Sequence, residues 1–222
     1  MATPADLEDF AIGFSLAEGL IARAGDIESL EVAPSDLGVE VRMWLANAPA
    51  EALAARRRRL AGPVGCGLCG IESLEEAIRA SPRVSEGLVV TPGDIHAATQ
   101  SLGDSQPLGA VTRATHAAGW WSRSGGLWGA REDVGRHNAL DKLAGARARA
   151  GDAPDDGILV LTSRVSVEMV QKAAVMGAQV IAAISAPTDL AVRTAQSCGL
   201  TLAAVVRDDG FEVLTAPNRI AS

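Results

Sequence analysis

Residues 157–206, GILVLTSRVSVEMVQKAAVMGAQVIAAISAPTDLAVRTAQSCGLTLAAVV, decide the fold. GILVLTS, AQVIAAIS and LTLAAVV are short, continuous apolar runs rich in Val, Ile and Leu, as expected of strands buried on both faces. Between them, VEMVQKAAVMG and TDLAVRTAQSCG are helical patterns closing at Gly177 and Gly199, the residue type that accepts a left-handed C-cap. Strand, helix, strand, helix, strand predicts an α/β protein with a largely parallel, buried sheet and right-handed crossovers. VRDDGFEVL then predicts a turn at Asp209 and Gly210 and a final short strand.

Ligands of open α/β sheets lie beyond the carboxyl ends of the strands. The first run ends at Thr162, and Ser163, Arg164 and Ser166 precede a helix carrying Glu168 and Lys172. Arg164 is therefore a candidate for gripping an anion, the plainer alternative being a pair with Glu168. Upstream, REDVGRHNALDKLAGA (residues 131–146) crowds Glu132, Asp133, Arg136, His137, Asn138, Asp141 and Lys142 around Gly135. Leu140 and Leu143 give it an apolar face, so it reads as a helix whose polar N-terminal end suits a phosphate or a nucleobase edge. His116, in the Ala-rich stretch THAAGWW, reads as a core histidine on a helix.

The first ninety residues pattern differently. Thr3 is placed to cap a helix starting at Pro4, with Leu7, Phe10, Ala11 and Phe14 as its apolar stripe and its end near Ile21. LGVEVRMWL alternates apolar and polar residues, a half-buried strand whose partner is residues 27–32. Residues 50–60 suit a short helix bearing the arginine run 56–59, a solvated face or a docking patch. The stretches near Pro92 and residues 152–157 read as surface connections. Residues 1–90, ending in a Cys-x-x-Cys loop, and residues 91–222 thus form two parts of one continuous unit.

That loop, GPVGCGLCGIESLEEAIR (residues 62–79), sets Cys66 and Cys69 among glycines ahead of a helix. Main-chain donors near a helix N-terminus favour thiolate, so a reactive cysteine is one reading. A zinc half-site, a redox pair and a purely structural loop are the others. The remaining cysteine, Cys198, and the histidines His96, His116 and His137 are too scattered to suggest a metal set, and none is expected.

Over the 222 residues, 48% hydrophobic content supports a packed core, while a net charge of -7 argues against broad nucleic-acid binding. No apolar run approaches the roughly 18 residues of a membrane span. The acidic start MATPADLEDF differs from a secretory leader, and three cysteines make no disulfide framework, so a reducing, cytoplasmic setting is expected.

Six stretches in one order, TPADLEDFAIGFSLAEGLI, RRRRLAGPVGCGLCG, THAAGW, EDVGRHNALDKLAG, SRVSVEMVQKAA and SAPTDLAVRTAQSCGLTLAAVVRDDGFEVLT, resemble the formate dehydrogenase accessory sulfurtransferases, the FdhD family. The resemblance implies a homodimer with a cytidine-deaminase-like three-layer fold that takes a persulfide sulfur from a cysteine desulfurase. It further implies delivery of that sulfur to the molybdenum bis(guanine dinucleotide) cofactor of formate dehydrogenase. Cys66 matches the persulfide-bearing cysteine and Cys69 its companion. Val206, Arg207, Asp208, Asp209, Gly210 and Phe211 match the cofactor-contacting segment, in which Arg207 is the one cationic side chain. His137, Asn138 and Arg164 join them as expected cofactor-binding residues. Family members carry residues ahead of the helix at Thr3, so a sheet edge is expected to lack its cover here. Two other classes compete: a non-catalytic carrier or chaperone of the cofactor, and a zinc-dependent deaminase, disfavoured because no His-x-Glu precedes a Pro-Cys-x-x-Cys.

Overall fold

The computed structural model describes residues 1–46, 81–151 and 155–221. Elements are numbered along these residues. The predicted run of buried strands forms β5 (Ile158–Leu161), β6 (Val180–Ala183) and β7 (Thr201–Arg207), joined by helices α5 (Val167–Val175) and α6 (Asp189–Cys198). They are the parallel centre of a six-stranded sheet of order β4-β3-β5-β6-β7-β8. The flanks are antiparallel: β3 (His116–Ser122) with β4 (Gly126–Asp133) on one side, and β8 (Gly210–Thr215) on the other. The sheet is therefore mixed, with parallel pairing confined to the three strands that helical crossovers connect.

Alternate side chains explain why these runs read as continuously apolar. Leu159, Leu161, Ile181 and Ala183 enter one core with Leu140, Leu143, Met169 and Ala195; Ile158, Val160, Val180 and Ala182 enter the other with Ile95, Ala98 and Leu102. The first core is roofed by α4 (Arg136–Ala150), α5 and α6. The second is roofed by α2 (Pro92–Gly103). Pro92, expected in a surface connection, instead occupies the first turn of α2. Thr91 caps that helix, accepting from the Asp94 amide at 3.2 Å while Asp94 accepts from the Thr91 amide at 2.7 Å. A short helix, α3 (Pro107–Thr112), follows.

His116 also departs from expectation. THAAGWW is strand β3, because Ala117 and Ala118 face opposite cores and the tryptophans follow on either side. Small residues weaken a period-2 signal, which is why this stretch resembles a helix.

At the N-terminus, α1 (Leu7–Ala17) begins three residues later than its sequence suggests. Thr3 is not its cap: the Thr3 amide donates to Asp133 Oδ2 at 2.9 Å, and its hydroxyl accepts from the Val134 amide at 3.0 Å. The helix stops before Ile21 because Gly19 takes a left-handed conformation, φ 64°. Helix α1 crosses α4 at Gly13 and Gly145, close enough that a Cβ on Gly145 would lie 1.8 Å from the Asp9 carbonyl oxygen. The paired strands β1 (Ile27–Ser35) and β2 (Gly38–Leu45) match the predicted hairpin, with Val41, Met43 and Leu45 on its more buried side. The arginine run 56–59 and the Cys-x-x-Cys loop lie outside the described residues.

Candidate functional site

Strand register brings several dispersed segments to one edge. His116 opposes Asp133, Ala118 opposes Leu161, and Leu161 opposes Ala183. The start of β3, the end of β4 and the carboxyl ends of β5 and β6 are thus neighbours. Thr162 fixes the junction, its amide donating to the Ala117 carbonyl at 3.1 Å and its hydroxyl accepting from the Ala117 amide at 2.8 Å. Two residues link β4 to helix α4, which delivers Arg136 and His137 to this edge; α5, after β5, delivers Ser166 and Glu168.

The result is a cluster of two arginines and two histidines beside the Glu168 carboxylate, with Asp141 also in the field of His137. Burial pushes the half-buried His116 imidazole below its ordinary pKa, and the positive fields of Arg136, Arg164 and His137 add to that. Those four side chains therefore share one electrostatic neighbourhood. His137 Nε2 lies 3.4 Å from Ser166 Oγ and 3.8 Å from Glu168 Oε2. Both Glu168 oxygens and Arg136 Nε are shielded from solvent without a hydrogen-bond partner among the described residues. The pairing of Arg164 with Glu168 that sequence allowed is not formed, and Arg164 stays exposed. Clustered cations with unused donors at strand carboxyl ends are suited to hold an anion.

The other expected residues divide. Asn138 donates from Nδ2 to Asp133 Oδ1 at 3.0 Å and to the Met1 carbonyl at 2.9 Å, so its amide holds the N-terminal segment. Val206 is buried in the α2-side core, and the Phe211 ring meets His96 edge-on at 5.6 Å. Arg207 folds over the end of β6, Nη1 donating to the carbonyls of Ile184 and Val206 at 2.5 and 2.7 Å. Asp208 and Asp209 are exposed in the β7–β8 turn that ends at Gly210. This turn shares the carboxyl edge with the cluster but lies two strand spacings from β5, about 10 Å across the sheet. Cys66 and Cys69 are outside the described residues.

Sequence reasoning singled out His137 and Arg164 and set Arg136 beside His137, but did not join His116 and Glu168 to them in one group. The signal for them is topological: a β-hairpin placed beside β5 carries both of its open ends to the same edge. Among the described residues, no three His, Cys, Asp or Glu side chains group as a metal site, and no helix is long and apolar enough to cross a membrane.

Comparison with known proteins agrees with this architecture. The chain is 54% identical over 221 residues to a sulfur carrier protein FdhD of Agrobacterium fabrum, covering 99% of this chain and 82% of the relative. A protein of the same name from Brucella abortus is 55% identical over the same shares. A solved structure from Desulfotalea psychrophila, described among formate dehydrogenase accessory proteins, superposes with a TM-score of 0.75 at 29% identity, covering 100% of this chain and 82% of that one. The model of the FdhD/NarQ family matches residues 1–221, and the chain belongs to that family.

Proposed function

We propose that this protein is a sulfur carrier that accepts a persulfide sulfur at Cys66 from a cysteine desulfurase and hands it to the molybdenum bis(guanine dinucleotide) cofactor destined for formate dehydrogenase. The observation that carries this reading is the cluster of His116, Arg136, His137 and Arg164 at the carboxyl edge of the sheet. Two arginines beside two imidazoles give an otherwise acidic protein a local site for an anion, and the diphosphates of a dinucleotide are such a ligand. The name carried by the relatives supports the sulfur half of the proposal.

In the first step the Cys66 thiolate attacks the outer sulfur of the donor persulfide. The donor sulfur–sulfur bond breaks, the donor cysteine leaves as thiolate, and the sulfane sulfur is now on Cys66. Cys69 then attacks the Cys66 sulfur, forming a Cys66–Cys69 disulfide and expelling hydrosulfide toward the cofactor. A cellular dithiol restores both thiols. His116, His137, Arg136 and Arg164 hold the nucleotide tail, and the turn from Val206 to Phe211 closes the same edge. The cytidine-deaminase-like label, the homodimer and the cytoplasmic location belong to the same proposal. A hairpin leading into strand, helix, strand, helix, strand supports the fold label.

The test is intact-mass measurement after incubation with a desulfurase and cysteine. A gain of one sulfur that reductant removes, and that Cys66→Ala lacks, supports the reading. If Cys66→Ala still brings formate dehydrogenase to full activity in cells, sulfur transfer through Cys66 is refuted and the chain acts as a cofactor carrier instead.

A further inference from the structure

Glu168 is an unusual neighbour for an anion site. It stands in the first turn of α5, its side chain 14% exposed, and neither carboxylate oxygen meets a hydrogen-bond partner among the described residues. Burial works to raise its carboxyl, but the His137 and Ser166 side chains beside it outweigh that, and the group stays below the ordinary glutamate value. An ionised carboxylate is acceptor-only, and its contact with His137 Nε2, at 3.8 Å, is longer than a hydrogen bond, so its oxygens keep acceptor capacity that a matching donor can use. Arg136 Nε, in the same cluster, is a donor left idle in the same way. Two idle groups of opposite charge that do not pair with each other fit a ligand with two ends, one anionic and one bearing N–H donors.

The common bases differ in what they can offer such a carboxylate. Guanine presents two adjacent N–H donors on its Watson–Crick edge, at N1 and the 2-amino group, which match the two oxygens of one carboxylate. Adenine and cytosine set a donor beside an acceptor, and uracil has a single ring donor with carbonyls on both sides, so each brings an acceptor against the carboxylate.

We propose that Glu168 is the specificity-determining residue of this site, accepting from guanine N1–H and the 2-amino group while Arg136, Arg164 and His116 hold the phosphates. This rests on the nucleotide-binding reading above and names the residue that reads the base. Ser166 and His137 position the carboxylate.

The probes are GDP, IDP, which lacks only the 2-amino group, and ADP, each titrated calorimetrically into the full chain and into Glu168→Gln and Glu168→Asp proteins of verified melting temperature. The wild type is expected to bind GDP about 10- to 100-fold more tightly than IDP, the scale of a charge-assisted hydrogen bond. Glu168→Gln is expected to weaken GDP, which loses both bonds to the carboxylate, more than IDP, which loses only the one from N1–H, and so to bring the GDP-to-IDP ratio close to unity. Glu168→Asp, which withdraws the same charge by one methylene, should fall between. A GDP-to-IDP ratio unchanged in Glu168→Gln, or an equal loss for all three nucleotides, overturns the assignment and leaves the nucleotide site standing. Absence of GDP binding to the wild type overturns both.

Discussion

Lys142 Nζ lies 2.7 Å from Asp133 Oδ2, and both side chains are wholly enclosed. The ammonium also donates to the carbonyls of Thr3 at 3.0 Å and Glu132 at 3.3 Å, so all three of its protons are used. Asp133 in turn accepts from the amides of Thr3 and Gly135. The pair joins the N-terminal segment, the end of β4 and α4 directly behind the cationic cluster. Lys142→Met leaves a buried aspartate without its counter-charge, and a loss of about 3–5 kcal/mol is expected. Urea denaturation monitored by tryptophan fluorescence measures it; a loss below 1 kcal/mol would refute the structural role.

The crossing of α1 and α4 gives a second prediction. A methyl group on Gly145 would fall 1.8 Å from the Asp9 carbonyl oxygen, and the obstacle is backbone, which no rotamer change can remove. Asp9 also receives Arg131 Nη2 at 2.7 Å and Arg149 Nη1 at 2.8 Å, so separating the helices pulls on these pairs as well. Gly145→Ala is expected to cost about 3 kcal/mol or more. A melting temperature within a degree of wild type would show that the helices do not approach this closely in solution.

What was legible in sequence follows the strength of the periodic signals. Residues 157–206 gave their strands and helices directly because both sheet faces are covered, so apolar runs and Gly C-caps stand out. Thr3 misled because capping chemistry is local, while Asp133, 130 residues away, offers its amide a charged acceptor. Pro92 misled in the opposite sense, since proline marks a loop or a first helical turn equally well. His137 and Arg164 were legible as candidates from their place after Gly135 and after a strand. Their assembly with each other, His116 and Glu168 was not, because strand order decides it and no local pattern encodes strand order.

Cys198 is the natural control for the proposed thiol chemistry. It is 1% exposed, its Sγ donates to the Thr194 carbonyl at 2.8 Å, and burial pushes its pKa up, against smaller opposing contributions from Ser197 and Arg83. A protonated, enclosed thiol is a poor nucleophile. Iodoacetamide at pH 7.5 followed by peptide mapping should leave Cys198 unmodified in the folded protein and label it fully in urea. Labelling of Cys198 in the folded protein at the rate seen in urea would contradict its burial.

His116 makes both stability and ligand binding depend on pH. Burial first, then the fields of Arg136, Arg164 and His137, hold its folded pKa below the ordinary value of about 6.5. The unfolded chain therefore binds this proton more readily, and stability falls as pH drops from about 6.5 through the lowered folded value. His116→Asn should flatten that part of the stability–pH curve. An anion bound at the cluster relieves the repulsion, so GDP binding near pH 6 should take up protons. The apparent enthalpy will then vary with the ionisation enthalpy of the buffer, less so in His116→Asn. Equal buffer dependence in the two proteins would remove His116 from the site.

Val205, at the carboxyl end of β7, has φ 54°, a left-handed conformation that β-branched residues rarely adopt. It falls where the β7–β8 register shifts between Ala204 and Arg207, and it turns the following backbone so that Arg207 reaches the Ile184 carbonyl. The strain is about 1–2 kcal/mol, and strain of this kind persists where the surrounding structure fixes a functional geometry. Glycine removes it but costs about 0.5–1 kcal/mol in chain entropy and part of a half-buried side chain. These contributions nearly cancel, so Val205→Gly should change stability by no more than about 1 kcal/mol. The same substitution at Val160, enclosed in the centre of the sheet, should cost several kcal/mol. Equal losses at the two positions, read from urea midpoints, would mean that Val205 carries no strain and that the turn toward Phe211 is set by other residues.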